Sequence, residues 1–172
     1  MCHVMTEIIV KYNDVPPSGH PNVTLHLFHK GKLKHSVVCL VDSGADCTTL
    51  PSSMSTLIYG FNICAMAVAF LKRIGAQMNE SECFCGDRIK SVKLPLLISF
   101  DNYTFPININ WVDNPNAMPL LGREDFFECF RVQFDELNKQ VLFCPNQERI
   151  EQNKQKYDFE RINDLIMKLK TD

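Results

Sequence analysis

Residues 42–46 read Asp-Ser-Gly-Ala-Asp, so two carboxylates flank a hydroxyl, a glycine and an alanine. The run Val37-Val38-Cys39-Leu40-Val41 leads straight into them. A short, β-branched apolar run closed by glycine reads as a strand buried on both faces. An ionised carboxylate at the end of such a strand is costly unless hydrogen bonds or a partner charge hold it. Asp42 therefore either caps a turn by accepting nearby backbone N–H groups or is a working acid that the strand delivers to a substrate.

A second stretch joins apolar and charged residues in the same manner. Pro119-Leu120-Leu121-Gly122-Arg123-Glu124-Asp125-Phe126 places an apolar pair before a glycine, then an arginine, then acids opening a short helical turn. A zinc site from Cys83, Cys85, His26 and His29 is the other chemistry these residue types suggest. Their spacing fits no usual structural pattern, and His26 and His29 on one strand face opposite sides. No metal and no cofactor is expected.

The elements that must hold these residues are mostly strands. Residues 5–12 predict a first strand, and residues 13–21, with three prolines and a glycine, a loop. Residues 22–28 alternate, Lys30-Gly31 makes a hairpin turn, and residues 32–41 return into the acidic motif. Residues 54–58 and 61–73, rich in Ala, Met and Leu without Pro, predict helix. Residues 75–90 show no pattern. Strands follow at 92–100 and 103–112, a loop at 113–119, and a second hairpin pairing 131–134 with 140–144. Ile162, Leu165, Ile166 and Leu169 recur at helical spacing with Asp158 as N-cap, predicting an amphipathic helix over 159–170.

Bulk properties fit an ordinary globular chain. Of 172 residues, 45% are hydrophobic and 22% charged, with net charge −2, enough length for one core and no charge excess to draw nucleic acid or a membrane surface. The apolar run 61–71 is shorter than the about 20 residues of a bilayer span, and no secretory signal opens the chain. The eight cysteines are scattered through apolar runs, as buried thiols in a reducing compartment are.

The two motifs in this order, behind a hairpin carrying Val23-Thr24 and Gly31-Lys32-Leu33-Lys34, resemble the retroviral-type aspartic proteases, the retropepsins. The resemblance spans residues 23–134. It implies a mainly β, single-lobe acid-protease fold, a folded β-barrel with a few helices and a C-terminal helix. Residues 1–145 would form the protease domain and 146–172 a charged helical extension. It also implies peptide-bond hydrolysis by paired aspartates that share one proton. Because this chain carries the motif once, a working enzyme must be a homodimer with Asp42 meeting its symmetry mate.

Roles carried over by that resemblance make Asp42 the catalytic acid/base, with Ser43 bracing the two loops across the axis. Gly44 and Ala45 keep the backbone open to a peptide or polyprotein substrate. Asp46 would contact that substrate and form a buried salt bridge with Arg123. Leu40, Thr49, Met118 and Leu120 would line the substrate pocket. The flap that covers substrate would fall near residues 79–91, where Gly86 is the one glycine. A dimer interface would use residues 5–12, the 130–144 hairpin, or both. The implied location is the cytoplasm or the interior of a retroelement particle. An inactive dimerisation or peptide-binding module is the alternative, favoured by the glycine-poor flap.

Overall fold

A computed structural model describes residues 7–12, 19–82 and 88–168. Ten strands, β1 (Ile8–Lys11), β2 (Asn22–His29), β3 (Lys32–Val41), β4 (Thr48–Pro51), β5 (Gln77–Glu82), β6 (Arg88–Phe100), β7 (Tyr103–Val112), β8 (Leu120–Leu121), β9 (Phe130–Asp135) and β10 (Gln140–Pro145), make two sheets. The larger has the order β2-β3-β8-β4-β7-β6-β5, and β2 pairs again with β6, so the sheet folds back on itself. The smaller is β1-β10-β9. Four helices accompany them: α1 (Ser53–Tyr59), α2 (Val68–Arg73), α3 (Gln147–Lys156) and α4 (Phe159–Lys168).

Local chemistry explains the hairpins. Lys30 and Gly31 both take positive φ, 52° and 65°, the turn whose twist suits two antiparallel strands. Asp101 and Lys139, at φ 50° each, turn the β6–β7 and β9–β10 connections. Phe126 stacks on Phe130 at 5.0 Å between ring centres and meets Phe105 of β7. Phe100 packs on Phe126, Phe130 and Phe143. This aromatic cluster joins the small sheet to the large one and fixes the segment just after Arg123.

Several expectations are corrected. Residues 61–73 are not one helix: the Asn62 side chain accepts from the Cys64 N–H and starts a 3-10 turn (Ile63–Ala65), and Ala67 is extended before α2 begins. The unpatterned 75–90 region holds β5 and the start of β6, a hairpin from Gln77↔Lys93 to Glu82↔Arg88. The expected flap therefore coincides with a hairpin, although its residues 83–87 lie outside the described residues. Strand β3 is not buried on both faces, because Val38 is 55% exposed while Val37 and Cys39 are buried. The acids after Arg123 open no regular helical turn, since Glu124 is extended and Asp125 takes φ 64°.

The C-terminal helices pack onto the sheets. Asn153 of α3 donates to the Pro106 carbonyl at 2.6 Å, and Ile150 is buried. Asp158 caps α4 by accepting from the Arg161 N–H at 3.2 Å. Ile166 is buried, and Asn163 Oδ1 lies 3.0 Å from Nδ1 of buried His29; Leu169 lies outside the described residues. His26 instead hydrogen-bonds Ser36, so the two histidines diverge, and Cys83 and Cys85 are not among the described residues. Among the described residues no cluster of His, Cys, Asp and Glu could hold a metal ion, and no helix is long and apolar enough to cross a membrane. Cys39, Cys47, Cys64, Cys129 and Cys144 are free thiols.

Candidate active site

Strand β3 ends at Val41, and the chain turns sharply. The Gly44 N–H donates to Asp42 Oδ1 at 2.8 Å, and the Ala45 N–H to the Asp42 carbonyl at 3.2 Å. Space at Gly44 is tight: a Cβ would sit 3.2 Å from that same Oδ1, so a side chain there would push on the carboxylate. Asp42 is half-buried, and its other oxygen takes no hydrogen bond from the described residues. One face of the carboxylate is thus fixed by the turn, and the other is open to a ligand.

The second motif clamps this turn from the side. Strand β8 runs parallel to β3, with Leu40 opposite Leu120 and Val41 opposite Leu121. The Asp42 N–H donates to the Leu121 carbonyl at 3.0 Å, and the Leu40 N–H to that of Pro119 at 3.0 Å. Beyond β8, the Arg123 N–H reaches the Ala45 carbonyl at 3.0 Å and the Glu124 N–H the Asp46 carbonyl at 2.7 Å. Between them Gly122 is pressed on Cys47, where a Cβ would meet the carbonyl carbon at 2.3 Å. The two motifs, distant in sequence, form one backbone-bonded unit.

Arg123 and Asp46 form an ion pair, with Arg123 Nη2 donating to Asp46 Oδ1. The expectation of a buried pair is corrected: the side chains are 58% and 88% exposed in the single chain. Ser43 is exposed, and Ala45 half-buried. Leu40, Leu120 and Thr49 lie side by side across β3, β8 and β4, each half-buried, while Met118 in the preceding loop is 61% exposed. With Val38 on the same side of β3 as Leu40, they give an apolar surface beside Asp42.

Thr48, Asp125, Lys156, Tyr157 and Lys93, to which the sequence assigned no role, support the clamp. Thr48, fully buried, accepts from the Gly122 N–H through Oγ1 at 3.3 Å. Asp125, also fully buried, accepts from the Asn108 N–H at 2.7 Å, the Tyr157 hydroxyl at 2.8 Å and Lys156 Nζ at 2.5 Å. Burial, reinforced by the hydrogen bond to Asp125, pushes the Tyr157 phenol well above its ordinary pKa. Burial works against the Lys156 ammonium, yet Asp125 outweighs it and the net shift is upward. Lys93 bonds Glu124 at 2.7 Å; its desolvation is likewise outweighed by the carboxylate and its pKa is raised. An acid next to Gly-Arg was visible in the sequence, but nothing local marks which acid turns inward.

No family model and no curated protein sequence matches this chain. Among solved structures, a retropepsin-like aspartic protease from Rickettsia conorii matches over 80% of this chain and 90% of that one, with a TM-score of 0.53 and 16% identity. The likeness shows the fold: this is a mainly β chain of retropepsin-like architecture.

Proposed function

We propose that this chain is one half of a homodimeric aspartic endopeptidase. The observation that carries the reading is the Asp42-Ser43-Gly44 turn, held by Gly44 N–H on one carboxylate oxygen and open on the other, within a retropepsin-like fold. In the dimer, Asp42 and its mate from the second copy face each other and hold one proton between them. The ionised carboxylate takes a proton from a bound water, whose oxygen adds to the scissile carbonyl carbon. The protonated carboxyl gives its proton to the carbonyl oxygen. Proton transfer to the nitrogen and breakage of the C–N bond then release the two peptide products. Neither a metal nor a covalent enzyme intermediate takes part.

The apolar surface of Val38, Leu40, Met118 and Leu120 suits apolar side chains on the substrate, with Thr49 and Asp46 offering polar contacts. Strands β1 and β9 are the two edges of the small sheet, and an unpaired edge is a ready partner for a second copy. Ser43, exposed in the single chain, would reach across the axis. Residues 1–145 would supply the catalytic unit and 146–172 its support. The test is cleavage of a peptide library at mildly acidic pH, with and without a pepstatin-type inhibitor, by wild type and Asp42→Asn. Cleavage that the inhibitor blocks and the substitution removes supports the enzyme; cleavage by the substituted chain removes it.

A second reading is an inactive peptide-binding module. It is favoured by the single glycine, Gly86, in residues 79–91, since a mobile cover over substrate commonly needs more backbone freedom. A dimer that binds peptides and leaves them whole would establish it.

A further inference from the structure

Away from Asp42, a cavity of about 460 Å³ lies between the end of α2, strands β5 to β7 and helix α4. Its wall carries four basic side chains: Lys72 and Arg73 at the end of α2, Lys93 on β6 and Arg161 on α4. Lys93 is already neutralised by Glu124. Lys72, Arg73 and Arg161 have no ion-pair partner among the described residues. The one carboxylate on the wall is that of Asp158, engaged as the cap of α4. Ile74, Pro95, Ile162 and Leu165 supply the apolar part of the lining.

An exposed lysine or arginine alone calls for no ligand, because water solvates it well. Here three cations without an ion-pair partner among the described residues, from two separate elements, line one recess together with apolar side chains, so their fields add at the place where an anion would enter. Arginine forks suit phosphate oxygens, which they can meet in pairs. The volume lies within the roughly 300–1,000 Å³ of small-molecule sites and far exceeds what inorganic phosphate fills.

We propose that this cavity binds a nucleotide-sized organic polyphosphate, the phosphates held by Lys72, Arg73 and Arg161 and the carbon skeleton lying on Ile74, Ile162 and Leu165. Such a ligand would bridge α2 and α4 and so tie the C-terminal helices to the sheet.

The experiment is calorimetric titration of the full chain with adenosine triphosphate and, separately, inorganic pyrophosphate, in about 0.15 M salt to suppress loose charge attraction. The expected result is one triphosphate per chain, with pyrophosphate weaker by at least about tenfold. The double variant Arg73→Ala/Arg161→Ala should lose at least about tenfold in affinity while its melting temperature without ligand stays that of wild type, both side chains being exposed. A titration without heat at about 1 mM triphosphate, equal affinity for pyrophosphate, or affinity unchanged in the double variant would each overturn the proposal.

Discussion

Gly122 lies against the backbone of Cys47, so close that a Cβ would stand 2.3 Å from the Cys47 carbonyl carbon and 2.4 Å from its oxygen. The contact brings the Gly-Arg segment onto the Asp42 turn. Backbone cannot yield as a flexible side chain can, so Gly122→Ala should separate the two segments and cost roughly 1–3 kcal/mol or more. Urea unfolding checks this; a midpoint equal to wild type would mean the segments are not clamped.

Arg123→Ala should behave differently. Its ion pair with Asp46 is exposed, and exposed pairs contribute about 0–1 kcal/mol. Its backbone N–H keeps the Ala45 carbonyl in any case. Stability of the single chain should change by less than about 1 kcal/mol, whereas KM for peptide should rise because Asp46 loses its orienting partner. A large drop in unfolding free energy would show that the pair is buried in the working form.

Asp125 should be far more sensitive. Asp125→Ala leaves the buried Asn108 N–H and the half-buried Tyr157 hydroxyl without their acceptor and Lys156 without its partner. Each buried donor that loses its acceptor costs about 1–3 kcal/mol, and the half-exposed Lys156 adds little because water solvates it. Tyr157→Phe, which removes one hydrogen bond to a charged group, should cost about 1.5–3 kcal/mol. For the same reason, the chain cut after Pro145 should melt well below the full chain. A truncated chain with unchanged melting temperature would show that residues 146–172 are a separate appendage.

Alkaline pH should weaken the fold through Cys39. Burial pushes this thiol up to about 12, against about 8.5 for a free thiol. Between those values the folded state holds a proton that the unfolded chain has lost. The contribution is therefore complete below about pH 8.5 and declines as pH rises toward 12, by up to about 1.4 kcal/mol per pH unit. Unfolding free energy measured against pH should fall less steeply for Cys39→Ala. Identical slopes would mean that the thiol is not shielded from water.

The two hairpins and the Asp42 turn were legible because their determinants are contiguous: Lys30-Gly31 between alternating runs, and Asp-Ser-Gly after an apolar strand. Strand β5 was not, since Gln77 to Glu80 are exposed on both faces and no alternation records the hairpin. Helix over 61–73 was overestimated because composition favoured it while one residue, Asn62, capped a tighter turn. Val38 was expected inside, yet an apolar residue facing an open binding surface has the same hydropathy as one in the core. The inward turn of Asp125 depends on Lys156 and Tyr157, 31 and 32 positions away, and the Thr48 bond to Gly122 spans 74. Such pairings appear only once the chain has folded.

The rate of peptide cleavage as a function of chain concentration tests the central claim most directly. With one Asp42 per chain, activity should vanish on dilution, the rate falling with the square of concentration once dimers dissociate, while Asp42→Asn is inactive throughout. A rate that stays proportional to concentration in a protein shown by its mass to be a single chain would contradict the account.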